Sequence, residues 1–127
     1  MLIEHLNGSK FEVTVRGESL VLQIPTMDGE APDGVQPVEL LLAALGTCML
    51  SSGVEFLRRQ GDEVPSAAAS LEIDDVVASR PIRVGSIDVS ITTSDSFSEK
   101  QTAQFLRAAS RCKVHNTLLH PPEVKID

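Results

Sequence analysis

One apolar segment, QPVELLLAALGTCMLSSGVEFLRRQG from Gln36 to Gly61, constrains the fold of this chain more than any other part of it. Pro37 suits the first turn of a helix, where its missing N–H leaves no bond unmade. Glu39 follows at a point where a carboxylate meets free N–H groups and the positive end of the helix dipole. The segment ends in two arginines, which suit a last turn, and in a glycine, which suits a left-handed cap. It predicts a single long helix.

This helix is apolar on nearly every side. About 24 residues would form a rod of roughly 36 Å, which is long for a small domain. A surface helix shows a polar stripe, so we expect this one to be covered on all sides. Its length would also span a bilayer, but charged and hydroxyl side chains interrupt the apolar run: Glu39, Thr47, Ser51, Ser52, Glu55, Arg58 and Arg59. We therefore expect a soluble central helix and no membrane partner.

Length and charge limit the classes of protein that remain. A chain of 127 residues predicts one domain, spanning residues 1–127. A net charge of −7, with four Phe and no Trp or Tyr, argues against nucleic acid as a partner. The N-terminal residues lack the basic start and apolar run of a signal peptide. Two cysteines without a signal-peptide pattern favour a cytoplasmic protein. In that reducing compartment a cysteine pair is more often catalytic or inert than a structural disulfide.

Two runs before the helix alternate between apolar and polar residues, Phe11–Arg16 and Leu20–Ile24, which is typical of strands. A turn at 17–19 would join them into a hairpin. Residues 25–34 predict a loop, because they combine proline, glycine and aspartate without any period.

A second hairpin is predicted after the helix, with strands at Leu71–Ala78 and Ile82–Ile91. Within the second of these strands the apolar residues change from even to odd positions. Keeping one face buried through that change requires an extra residue, so we predict a β-bulge near Gly85 and Ser86.

The last part of the chain predicts a second helix over Glu99–Arg111, capped by Ser98 with Gln101 completing a capping box. Beyond it we expect a short turn over Asn116–Leu119 and a short closing strand over Glu123–Ile126. The order β-β-α-β-β-α-β predicts an α+β domain with an antiparallel sheet and a long central helix.

The two cysteines are the first candidates for chemistry. Cys48 lies in the middle of the helix, where the helix dipole has little effect, so an activated thiol there requires a cation from another segment. The plainer interpretation is a small buried core residue. Cys112 lies between Arg111 and Lys113, a positive setting that favours thiolate. A solvated basic helix end that happens to contain a cysteine is the alternative.

Three further residues are candidates for the same site. Lys10 and Arg16 occupy polar positions of the first strand, so either can be the cation that Cys48 needs, although solvated charges are the plainer interpretation. Glu39 is what helix capping alone would select. Nine residues separate it from Cys48, which is roughly 900° around one helix and places the two on opposite sides. A site that uses both must therefore be assembled from more than one segment.

A zinc site from Cys48, Cys112, His115 and another His is a further alternative on ligand chemistry. Only Cys112 and His115 have suggestive spacing, and the sequence contains no CxxC pair. We expect neither a metal nor a cofactor.

Two of these segments resemble a known family. The run QPVELLLAALGTCMLSSGVEFLRRQG resembles the central helix of the OsmC and organic hydroperoxide resistance proteins, with its proline, glutamate and mid-helix cysteine. RCKVHNTL resembles the second-cysteine motif of that family, although Lys113 stands where a proline often follows the cysteine. The resemblance covers most of the chain. It implies an OsmC-like fold and an intertwined homodimer, with the central helices packed together and the active sites at the subunit interface.

The resemblance also implies thiol peroxidase chemistry. Cys48 would react with an organic hydroperoxide and become a sulfenic acid, Cys112 would resolve it as a disulfide, and an external dithiol would reduce that disulfide. Glu39 would hold a catalytic arginine, for which Arg16 has the right chemistry, with Lys10 as the other cation in that region. The alternative function is a non-enzymatic dimer that binds a small apolar ligand between helices.

Overall fold

The structure is a computed structural model that describes residues 1–24 and 34–127. Most of the predicted loop at 25–34 lies outside the described residues. The chain divides into two compact units, residues 1–43 and 44–127. The long helix α1, Pro37–Arg59, runs from the first unit into the second.

The first unit is a three-stranded antiparallel sheet with the order β1-β2-β3. Its strands are β1 (Leu2–Asn7), β2 (Lys10–Val15) and β3 (Glu18–Gln23). The predicted hairpin is confirmed as β2 and β3, but its turn is Arg16–Gly17, with φ of 49° and 83°. Positive φ at both central residues matches the right-handed twist of the paired strands, and this is why the loop closes in two residues.

Helix α1 has the ends that its sequence predicts. It begins at Pro37, and the Glu39 carboxylate accepts a 3.0 Å hydrogen bond from the backbone N–H of Gln36. Gly61 follows the helix with φ of 88°, the left-handed conformation that glycine adopts without strain. The helix therefore ends just before Gly61, as the sequence predicts.

The prediction that α1 is covered on all sides is wrong for the single chain. Its buried face includes Leu45, Met49 and Leu57, whereas Val38 and Leu41 remain exposed. Length and composition alone would let α1 cross a membrane. Its buried residues, however, pack on a sheet and a helix of the second unit, as the core helix of a globular domain does.

The second unit contains a two-stranded antiparallel sheet of β4 (Ala69–Ser79) and β5 (Ile82–Thr93). Val76 pairs with Ser86, but Val77 pairs with Val84, so Gly85 is the extra residue of a bulge. The predicted bulge is confirmed. A side chain at Gly85 would lie 2.9 Å from Cβ of Ala78, so a residue without Cβ suits this position.

Two helices follow, α2 (Glu99–Ala109) and α3 (Lys113–Leu119). The capping box of α2 is confirmed, with Ser98 and Gln101 each accepting the other's backbone N–H. Helix α2 packs on α1 at Gly53, where an added Cβ would lie 2.6 Å from the fully buried ring of Phe105. This close approach joins the two helices of the second unit.

Three predictions need correction. The N-terminal strand β1 was not predicted, because its apolar residues Leu2, Ile3 and Leu6 do not alternate. Helix α3 begins before the predicted turn at Asn116–Leu119. The closing strand over Glu123–Ile126 is wrong: Val124 and Ile126 are 79% and 93% exposed, and no described strand pairs with them. Alternation alone does not form a strand without a partner edge.

Candidate active site

Cys48 is positioned by α1 in the second unit. The hydroxyls of Ser51 and Ser52 both donate to the carbonyl of Cys48, at 3.1 Å and 2.8 Å. These bonds turn the hydroxyls back onto the helix, where serine commonly bonds a carbonyl one turn earlier. The Cys48 side chain is half-buried and packs against the core.

Cys112 lies at the junction of α2 and α3. It is the N-cap of α3, and its Sγ accepts a 3.3 Å hydrogen bond from the backbone N–H of His115. Cysteine is a weak acceptor for this role, in which serine or aspartate is usual. The side chain is 2% exposed, so the thiol is almost completely enclosed. The chain therefore holds this sulfur in place from its own backbone.

One apolar cluster brings the two cysteines together. Cys48 packs against a buried group that contains Leu45, Met49, Ala109 and Cys112. The side chains that cover this group come from the inner face of β4 and β5 and from the start of α3: Leu71, Ile73, Ile87, Val89, Ile91 and Val114. Both thiols are free. The structure thus places two reduced cysteines side by side in an apolar setting.

The surroundings of Cys112 act in opposite directions on its pKa. Burial raises the pKa of the Cys112 thiol above its ordinary value, because a low-polarity setting disfavours the thiolate. The N–H groups of His115 and Val114 lower that pKa, whereas a side-chain hydrogen bond and charge repulsion from Cys48 raise it. The net effect is a raised pKa. Cys112 therefore gives up its proton less readily than an ordinary cysteine thiol does.

Glu39, the third predicted site residue, belongs to the first unit. Its carboxylate is exposed and bonds the N–H of Gln36 at the start of α1. This is the capping role that its position predicts. Its role in holding an arginine stays a prediction.

The two candidate cations also belong to the first unit. Lys10 begins β2 and pairs in register with Gln23, while Arg16 lies exposed in the β2–β3 turn. Within residues 1–24 and 34–127, neither forms an ion pair. That either of them serves Cys48 stays a prediction.

His115 has contacts that sequence reasoning did not predict. Its Nδ1 lies 2.6 Å from the carbonyl oxygen of Ser110, in addition to its backbone bond to Cys112. The spacing of Cys112 and His115 drew attention to a zinc site instead. No group of three His, Cys, Asp or Glu side chains suited to a metal occurs among the described residues.

The fold and the paired thiols define a class: a small α+β protein with a long helix and a two-cysteine centre. A sequence profile of the family described as OsmC-like protein matches residues 28–127. The chain belongs to this OsmC-like family, as the resemblance of its two cysteine segments implies. No curated protein sequence matches it.

Solved structures share this fold at low sequence identity. A protein from Psychrobacter arcticus 273-4, described as an osmotic stress induced and detoxification response protein, matches with a TM-score of 0.78 and 19% identity, over 91% of this chain and 85% of that one. The OsmC like protein of Mycoplasma pneumoniae matches with a TM-score of 0.72 and 18% identity, over 89% and 81%. A hypothetical protein from Aquifex aeolicus VF5 matches with a TM-score of 0.75 and 16% identity, over 98% and 89%. The likeness establishes the α+β fold with its long helix.

Proposed function

We propose that this protein is a thiol-dependent peroxidase that reduces organic hydroperoxides in the cytoplasm. The observation that carries the proposal is the pair of free thiols, one half-buried and one buried, packed against each other in one apolar cluster. Membership of the OsmC-like family supports it. A metal or cofactor has no part in it.

The first step belongs to Cys48, because it is the more accessible thiol. Its thiolate attacks the terminal oxygen of ROOH, the O–O bond breaks, and Cys48 becomes a sulfenic acid. The alkoxide takes a proton and leaves as ROH. A positive charge beside this oxygen stabilises the departing alkoxide.

The second step belongs to Cys112. Its sulfur attacks the Cys48 sulfenic acid, a disulfide forms, and the hydroxyl leaves as water with the thiol proton. An external dithiol then reduces the disulfide through a mixed disulfide and is itself oxidised. Because its pKa is raised, Cys112 enters this step as the thiol and supplies the proton that leaves with the hydroxyl.

The test is consumption of cumene hydroperoxide with dithiothreitol as the reductant. Cys48→Ser is expected to lose the activity entirely. Cys112→Ser is expected to form a sulfenic acid that dimedone traps and that persists in the absence of thiols. Full activity in Cys48→Ser would exclude the proposed chemistry.

The first hairpin supplies the cation in this proposal. Arg16 is the leading residue, with Glu39 holding it, and Lys10 is the alternative. Substitution of the active cation by alanine is expected to slow the first step by roughly a hundredfold or more, as loss of one charge-stabilising donor commonly does. Comparing Arg16→Ala with Lys10→Ala in a single-turnover assay identifies it. Equal first-step rates in both variants and the parent would place the cation elsewhere.

The proposed active unit is an intertwined homodimer. Within the single chain, apolar side chains of α1 such as Val38 and Leu41 are 44% and 39% exposed, and further exposed apolar residues occur on the sheet of the first unit. A partner that covers them would satisfy the expectation of a fully enclosed helix.

The second candidate function is binding of a small apolar ligand without catalysis. A groove of about 410 Å³ lies in the first unit, with an almost entirely apolar lining that includes Val13, Leu20, Leu22 and Leu40. Apolar cavities of this size suit small ligands. Saturable binding of Nile red, with thiols that do not react with hydroperoxide, would favour this function over the peroxidase.

A further inference from the structure

The turn between α2 and α3 is held by hydrogen bonds as well as by the burial of Cys112 and the packing of Val114 on the apolar cluster. Helix α3 has seven residues and none of them is buried. A helix this short is marginal by itself, so its position depends on the contacts and hydrogen bonds at its start. Because Cys112 is the N-cap of α3, whatever fixes the start of this helix also fixes the resolving sulfur.

His115 bonds back across this turn at two points. Its backbone N–H donates to Cys112 Sγ at 3.3 Å, and its ring Nδ1 lies 2.6 Å from the carbonyl oxygen of Ser110. A carbonyl oxygen only accepts, so Nδ1 carries the hydrogen and donates it. Ser110 is the C-cap of α2, where the carbonyl lacks a partner within the helix. The ring therefore ties the start of α3 to the end of α2.

We propose that His115 is a positioning residue for Cys112, whose ring, anchored on the Ser110 carbonyl, holds its own backbone N–H on the sulfur. Without this anchor, the first turn of α3 can move away and the N–H leaves Sγ. A donor at the sulfur favours the thiolate, which is the form that attacks a sulfenic acid. His115 thus acts on the second step of the reaction through Cys112, and this part of the inference rests on the proposed function.

The first test does not need peroxide. In a Cys48→Ser background, the pKa of Cys112 is read from the ultraviolet absorbance of its thiolate. His115→Ala is expected to raise that pKa by roughly half to one unit, the equivalent of one weakened hydrogen bond. His115→Asn is expected to restore it, because the Asn amide N–H takes the place of Nδ1–H towards Ser110.

Thr117→Val is the matched control. The Thr117 hydroxyl donates to the Lys113 carbonyl at 2.8 Å, a bond of α3 that does not cross the turn. This variant is expected to leave the pKa of Cys112 unchanged. The proposal is overturned if His115→Ala does not shift the pKa, if His115→Asn does not restore it, or if Thr117→Val raises it equally.

The second test follows one turnover with cumene hydroperoxide in the otherwise unmodified chain. His115→Ala is expected to form the sulfenic acid at the parent rate but to convert it to disulfide about three- to tenfold more slowly, in line with the loss of one hydrogen bond. Disulfide formation at the parent rate would contradict the proposal. If the parent forms no sulfenic acid, the peroxidase function fails, and the titration still decides the role of His115.

Discussion

At the scale of single residues, Cys112 links the chemistry of the site to the stability of the fold. Its pKa is raised, chiefly by burial, so the folded protein holds this proton more tightly than the unfolded chain does. The stabilisation is complete below the ordinary cysteine pKa of about 8.5, and it is lost as pH rises through the pKa of Cys112 in the folded protein.

We therefore predict that the free energy of unfolding decreases as pH rises from the ordinary cysteine pKa to the raised pKa of Cys112. Urea denaturation across this alkaline range measures it. Cys112→Ala should show a flatter dependence on pH, even if its stability at neutral pH is lower. An equally steep fall in Cys112→Ala would assign the effect to other groups.

Two glycines of α1 give a second prediction at this scale. A Cβ at Gly53 would lie 2.6 Å from the ring of Phe105, which is fully buried and cannot withdraw. We expect Gly53→Ala to destabilise the fold by about 1–3 kcal/mol, the usual cost of overpacking. A Cβ at Gly46 would meet only the end of the Leu71 side chain, at 3.0 Å.

Gly46→Ala is the matched control for that prediction. The Leu71 side chain is flexible and half-buried, and alanine gains about 1 kcal/mol over glycine in helix propensity, so little net change is expected. Thermal unfolding of both variants measures the difference. Equal stabilities would contradict the tight contact with Phe105.

The site residues were predictable to different degrees. The pairing of Cys48 with Cys112 followed from the resemblance of two segments to a family and not from spacing along the chain. The bond from His115 to Ser110 was not predictable, because it depends on the backbone angles of the three residues between α2 and α3. Sequence shows which residues are near a helix end, but not which carbonyl a side chain reaches.

At the scale of elements, the strongest predictions came from residues with a specific structural role. The limits of α1 follow from Pro37 and Gly61. The bulge in β5 follows from the change of its apolar residues from even to odd positions, opposite Val76 and Val77. Strand β1 and the tail after α3 were mispredicted, because pairing with a partner edge decides whether such segments form strands.

Helix α2 gives the prediction for this scale. The Ser98 hydroxyl accepts a hydrogen bond from the backbone N–H of Gln101 at 3.1 Å, and the Gln101 side-chain oxygen accepts one from the backbone N–H of Ser98 at 2.8 Å. Ser98→Ala should cost about 1 kcal/mol of folding stability, the typical value for loss of an N-cap. Ser98→Asp keeps an acceptor and should retain the stability. Chemical denaturation compares the three proteins, and a neutral Ser98→Ala would contradict the role of the capping box.

At the scale of the whole molecule, the exposed apolar residues of α1 support the proposed homodimer. We predict that the protein sediments as a dimer and that Leu41→Glu shifts it towards the monomer, because a charge in a dry interface is costly. Sedimentation equilibrium measures both. Circular dichroism of the variant establishes that α1 is still folded, and a parent protein that sediments as a monomer would exclude the proposed assembly.

In the proposed mechanism, Cys48 and Cys112 form one redox centre. The direct measurement is mass spectrometry of the protein after one equivalent of cumene hydroperoxide, without reductant, followed by alkylation of any thiols that remain. We predict a peptide cross-link between Cys48 and Cys112 in the parent and none in Cys48→Ser. Two thiols that both remain alkylatable after exposure to the hydroperoxide would contradict it.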